Sequence, residues 1–175
     1  AALARELGCR VERVKPVPDQ PEQLRAALRD SLDAGAHVVI FCAGSSAGSK
    51  DYTRSILESE GEILVHGIAA MPGKPSLAAI CRGRPVFGAP GYPVSSLICF
   101  EELITPAICL LAHRPLPARP EIEVELTRSL PSRLGLEEFV HLAVGRVGEK
   151  AVGIPLNRGA GNTSIVAPPQ AVMRI

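Results

Sequence analysis

Aromatic side chains are scarce in this sequence: its 175 residues include no tryptophan, two tyrosines and four phenylalanines, 3% in all. Neither charge is in excess, since 19 basic residues meet 18 acidic ones for a formal net charge of +1. A nucleic-acid surface needs a basic field and usually stacking rings, so that class of partner is not expected. Zinc-type spacings of cysteine and histidine are also missing. The five cysteines, Cys9, Cys42, Cys81, Cys99 and Cys109, are odd in number and scattered through apolar contexts. They fit free thiols in a reducing cytoplasm better than a disulfide frame. No basic-then-apolar leader opens the chain, and its longest apolar stretch, near Val94 to Ala112, is interrupted by Glu101, Glu102 and Pro106. Neither a signal peptide nor a membrane span is expected.

Apolar residues, by contrast, are plentiful at 46%, ample for one large domain or for a medium domain with a small one. Ala1 to Leu7 has helix composition and stops at Gly8, and the chain begins there with no strand before it. Val11 to Val17 reads as a strand ending at Pro16 and Pro18, with Asp19 as either a candidate acid or a turn residue capping the next helix. Pro21 to Leu32 is amphipathic, with Leu24, Ala27, Leu28 and Ser31 on one face and Gly35 as its stop. His37 to Cys42 is a short apolar run of the kind buried on both faces of a parallel sheet. A helix is expected from about Lys50 to Ser59, strands over Glu62 to Ala69 and Arg84 to Phe87, and a long helix to about Leu111, kinked or broken near Pro106.

Three stretches have the character of a site. From Phe41 to Asp51 the chain turns abruptly small and hydroxylated. Gly44 and Gly48 allow close backbone approach, and Ser45, Ser46 and Ser49 offer hydroxyls; this is a phosphate cradle or simply a serine-rich turn. Met71 to Pro75 is a rigid turn whose prolines hold the backbone around Lys74, which serves an anion site or faces solvent. Gly88 to Ser96 leads from a strand into a helix, with Pro93 in the first turn and Ser95 and Ser96 where free amides favour an anion. Two of these loops follow strand carboxyl ends, where open parallel sheets bind ligands.

After a proline-rich linker at His113 to Arg119 the pattern changes. Ile122, Val124 and Leu126 alternate with glutamates, and Phe139 to Val147 and Ala151 to Leu156 are strand-like, which makes a small all-β unit. Its loop from Arg158 to Gly161 is a barrel turn or an anion loop.

Ala43 to Gly48 followed by Asp51, Tyr52 and Thr53, then Pro72 to Pro75, then Gly88 to Ser96 together resemble the MoeA/gephyrin E-domain family, the molybdopterin molybdotransferases. The resemblance extends to Val17, Pro18 and Asp19 and to Glu137, Glu138 and Phe139, and so covers nearly the whole chain. It implies an α/β fold: a three-layer, mostly parallel sheet domain of the molybdopterin-binding type at residues 1–114, with its first strand missing, and a small β-barrel domain at 115–175. It further implies a cytoplasmic homodimer that inserts molybdate into adenylylated molybdopterin with release of AMP, in a magnesium-dependent reaction. On the matching positions, Gly44, Ser45, Ser46 and Gly48 would hold the pterin's phosphate end, and Asp51 would serve magnesium or the leaving nucleotide. Lys74 would lie near molybdate or phosphate, and Pro90, Pro93 and Ser95 would wall the pocket. Both substrates are anions, so a lysine, oriented amides and a divalent cation suit the reaction, while the pterin sulfurs capture the metal.

The family's usual basic residue is replaced by Met71, its commoner asparagine by Tyr92 and a glycine by Ala43, which together with the Arg158 loop suggest a variant subgroup. The family's amino-terminal domains are not represented, so the chain reads as a fragment that alone would turn over little. Two other readings stay open: a non-catalytic module that binds or senses molybdopterin or molybdate, and the related adenylyltransferase that activates molybdopterin with ATP.

Overall fold

The computed structural model describes residues 1–12, 15–42, 52–156 and 170–175. Two short helices and a strand open the chain: α1 (Ala2–Glu6), α2 (Pro21–Asp33) and β1 (Val39–Cys42). After α3 (Tyr52–Glu60) come β2 (Gly61–His66), β3 (Ala70–Met71), β4 (Leu77–Cys81) and β5 (Arg84–Ala89).

A four-stranded sheet forms in the order β1-β5-β4-β2. Its core divides cleanly by strand alternation, because successive strand residues face opposite sides. Val39, Phe41, Leu77, Ala79, Cys81 and Val86 pack with Leu28 and Leu32 of α2 and Ile56 and Leu57 of α3. Val38, Ile40, Ala78, Phe87 and Ala89 pack on the other side with Ala4 of α1 and with Phe100, Ile104 and Ile108. Helices therefore cover both faces, and the expected α/β sandwich of three layers is present. Each fully buried leucine or isoleucine in these clusters contributes about 1.5–3 kcal/mol relative to an exposed one.

Within that class several details depart from expectation. Among the described strands of the four-stranded sheet, only β1 and β5 pair in parallel; β4 is antiparallel to both β5 and β2. The cause is the Arg82-Gly83 turn, where φ is +50° and +73°, a combination that reverses the chain into a tight hairpin. Strand β1 is half-buried rather than buried on both faces, since it is the edge of the described sheet. No strand forms at Val11, Glu12 or Lys15 to Val17; Val11 instead packs sideways onto the cluster under α1, and Pro16 and Pro18 cannot donate to a ladder. Gln20, not Asp19, is the residue preceding the first turn of α2, and Asp19 is exposed.

The long apolar stretch is one helical run in three pieces: α4 (Pro93–Cys99), a π-helical segment Phe100–Ile104, and α5 (Thr105–Leu111). Pro106 lacks an amide hydrogen, and one residue before it the Thr105 N–H reaches back to Phe100 O, the wider π spacing. By length and composition Pro93–Leu111 would suffice to cross a membrane. Its Val94, Ile98, Cys99, Ile104 and Ile108 are buried in this fold, as in a core helix.

Beyond an exposed connection lie β6 (Glu125–Leu126), β7 (Glu137–Val147), β8 (Lys150–Pro155) and β9 (Gln170–Arg174), joined with β3 in a five-stranded sheet. Glu137 N–H donates to Ala69 O while the next amide, Glu138 N–H, donates to Ile175 O, so β3 and β9 hold opposite edges of β7. The first unit thus lends a strand to the second. Ala70, Ile98 and Phe139 form a small shared core across the join.

Candidate functional site

Strand register brings the end of β1, where the first site-like stretch starts, to the same edge of the four-stranded sheet as the other two stretches. In β5, Gly88 lies opposite Phe41 of β1 on one side and Leu77 of β4 on the other. At this level β1 and β5 run out toward their following loops, while β4, antiparallel, is just entering from the Met71–Pro75 turn. The carboxyl end of β1 at Cys42, the loop from Gly88 and the lysine turn therefore lie side by side. Gly44, Ser45, Ser46, Gly48 and Asp51 lie outside the described residues, as does the Arg158 to Gly161 loop.

The lysine turn is held closely. The Met71–Pro72 peptide is cis and Gly73 has a φ of +121°, a conformation side-chain-bearing residues rarely adopt. Ile68 N–H donates to Lys74 O at 2.9 Å, and Ser76 donates twice to Gly73 O, from its amide at 3.0 Å and from its hydroxyl at 2.7 Å. The backbone is fixed while the Lys74 side chain stands exposed, free to meet an anion.

The second loop sits directly behind. Pro90 is buried and Pro93 exposed at the start of α4, with Tyr92 as the residue preceding the helix and 64% exposed. Ser95 is buried in the first turn. The Val94 and Ser95 amides are too early in the helix to find a carbonyl four residues back, the usual condition for an anion site. One turn further, Ile98 touches the lysine turn so tightly that a Cβ on Gly73 would come within 3.2 Å of it. Cys99 sits beside the same turn, with its Sγ donating to Gly88 O at 4.0 Å. Burial pushes the Cys99 thiol up, partly offset by the polar hydroxyl of Ser76. Sequence reasoning misses Ser76 and Cys99; a hydroxyl directly after Pro75 is the one signal that could have found the first.

Met71 is half-buried in β3, in register with Glu138 of β7. It belongs to the seam between the two sheets as well as to the rim of the turn. Among the described residues no group of three or more His, Cys, Asp or Glu side chains is placed to hold a metal ion. The candidate carboxylate, Asp51, lies outside them.

Comparison with known proteins agrees with this arrangement. A family model described as a probable molybdopterin binding domain matches residues 1–109. The molybdopterin molybdenumtransferase of Haemophilus influenzae is 30% identical over 138 residues, covering 78% of this chain and 34% of the relative. Molybdopterin molybdenumtransferase 2 of Mycobacterium tuberculosis is 32% identical over 148 residues, covering 79% and 36%. A crystal structure of the molybdopterin biosynthesis MoeA protein from Pyrococcus horikoshii superposes with a TM-score of 0.67 at 28% identity, over 91% of this chain and 37% of that one. The chain spans about a third of the length of the curated relatives it matches. Its three-layer sheet unit, the attached β sheet and these likenesses together make it a member of the molybdopterin-binding domain family, of the MoeA type.

Proposed function

We propose that this chain serves molybdenum cofactor biosynthesis, as the part of a molybdotransferase that binds adenylylated molybdopterin while molybdate is inserted and AMP released. The observation that carries this reading is the shared sheet edge, where Phe41, Gly88 and Leu77 in register set the end of β1, the Gly88 loop and the lysine turn side by side. Molybdate and a nucleotide-linked phosphate repel one another, and an anchored lysine beside early helix amides offsets that repulsion in a preorganised way. Lys74 is the proposed anion partner, with Pro90, Pro93 and Ser95 as the adjoining wall. Gly44, Ser45, Ser46 and Gly48 are proposed to hold the phosphate end, and Asp51 is kept as the candidate for magnesium or the nucleotide. No step is assigned to magnesium, since the described residues do not form its site. The protein supplies position and charge, and the pterin sulfurs supply the ligands for molybdenum.

The test is molybdate-dependent release of AMP from adenylylated molybdopterin by the full-length protein. Lys74→Ala is expected to lower kcat/KM about 100-fold, the scale of one lost electrostatic contact to a developing anion. Undiminished activity of Lys74→Ala and Asp51→Ala would sink the role assignment. Residues 1–175 alone are expected to turn over little, and the homodimer is proposed for the full-length protein, where sedimentation would check it. Met71, uncharged and drawn into the seam beside Glu138, favours a second reading as a binding or sensing module. Calorimetric pterin binding without turnover in the full-length protein would select it.

A further inference from the structure

We propose that Ser76 is the positioning residue of the lysine turn, its hydroxyl holding the Gly73 carbonyl so that the Lys74 ammonium is presented to the anion in one direction. The inference rests on the reading of Lys74 as the anion partner and adds how that lysine is aimed. Two peptide planes flank the Lys74 Cα, and the carbonyl of each is anchored. Lys74 O accepts from Ile68 N–H at 2.9 Å. Gly73 O accepts from Ser76 through both the amide, at 3.0 Å, and the hydroxyl, at 2.7 Å, so that its two lone pairs are engaged by one residue. With both planes fixed, the Cα–Cβ direction of Lys74 is fixed as well.

Ser76 is itself immobile. It is 0% exposed, and its own carbonyl accepts from Gly67 N–H at 2.8 Å. A turn needing only closure would be satisfied by the Ser76 amide; the hydroxyl adds a second bond to the same oxygen and fixes its angle. Alanine would remove the hydroxyl's bond to Gly73 O, whereas threonine keeps the hydroxyl.

The experiment is a double-mutant cycle in the full-length protein with inorganic molybdate as the varied ligand. Ser76→Ala is expected to raise the KM for molybdate or lower kcat/KM about fivefold to tenfold, the scale of one buried hydrogen bond, and Ser76→Thr to restore most of it. In a Lys74→Ala background Ser76→Ala is expected to cost nothing further, because its effect passes through the lysine. An equal loss in both backgrounds, or no loss in either, overturns the proposal. A second arm needs no turnover: with lysines carried as carbon-13 dimethyl groups, Ser76→Ala is expected to narrow and shift the Lys74 NMR signal as the side chain gains freedom. An unchanged signal overturns the positioning role. If Lys74→Ala is fully active, the assignment of Lys74 to the anion fails, and the NMR arm still decides whether Ser76 aims it.

Discussion

Gly73→Ala is the substitution on which the geometry of the turn can be weighed most directly. Two costs are legible in the structure. The residue sits at φ +121°, where a side chain costs on the order of 1–3 kcal/mol. The new methyl would also meet Ile98 Cγ2 at 3.2 Å and Ile98 Cβ at 3.6 Å. Ile98 is 0% exposed, so it has nowhere to retreat, and overpacking of that kind costs about 1–3 kcal/mol. The sum is roughly 2–6 kcal/mol, against a total of about 5–15 kcal/mol for a domain. Equilibrium urea unfolding would read it as a fall in midpoint of about 1–3 M for a slope near 2 kcal/mol/M. The two parts separate in an Ile98→Ala background, which removes the clash but not the backbone cost. There Gly73→Ala is expected to cost only about 1–3 kcal/mol, the conformational part. A loss below about 1 kcal/mol in the native background, or the same loss in both, would refute the reasoning.

Gly61→Ala places a Cβ 2.0 Å from Ile80 O, a backbone atom that cannot swing aside, so β2 must part from β4; a loss of at least about 2 kcal/mol is expected in the same unfolding assay. His141 is buried, which holds its imidazole below the ordinary 6.5. Below that pH the unfolded chain binds a proton that the folded one refuses, so stability should fall as pH drops from about 7 toward about 5, and His141→Gln should flatten the slope of the unfolding midpoint against pH. Glu101, whose carboxyl is pushed up by burial and by Glu102 against the pull of Arg119 and Arg174, has the opposite sign. Its stability contribution is present below 4.5 and lost as pH rises through the folded value. Glu101→Gln is therefore expected to stabilise at about pH 7 by a few tenths to about 1 kcal/mol, with the gain vanishing near about pH 4 in a thermal-melt series.

Much of the fold can be read from the chain because alternation survives in it. Val38, Val39, Ile40 and Phe41 form a run without polar interruption, and such a run in a sheet covered on both faces must feed two cores, as it does. Strand direction is a different matter. Periodicity is blind to it: Arg82-Gly83 reads as a polar turn, but the antiparallel reversal depends on both residues being left-handed, one of them an arginine. β4 hides for the same reason, as a five-residue stretch rich in alanine between two turns. Over its described residues the expected Val11 to Val17 strand does not form, and Pro16 cannot donate to a ladder. The seam formed by β3 and β7 is beyond local reasoning altogether, since it joins Ala70 to Glu137 across a linker that composition marks as a divide.

The site is legible in the sequence as a set of loops but not as a place. Glycines, serines and a proline-locked lysine each announce themselves, and each alone is compatible with an ordinary turn. What makes them one site is register: because Gly88 pairs with both Phe41 and Leu77, the segments that begin or end there have to share an edge. The same pairing explains why Ser76 escapes notice. A buried hydroxyl next to a strand start looks like a packing residue until the turn before it is folded back, bringing Gly73 O within 2.7 Å. Met71 shows the converse, a departure from the family pattern that reads as a lost charge in the pocket. Set in β3 beside Glu138, it also lies on the contact between the two sheets, where an apolar side chain favours the join. A Met71→Lys variant separates the two effects: added charge at the site should strengthen molybdate binding, while a lysine pressed into the seam should lower the melting temperature. Stability unchanged together with tighter binding would mean that the residue belongs to the pocket alone.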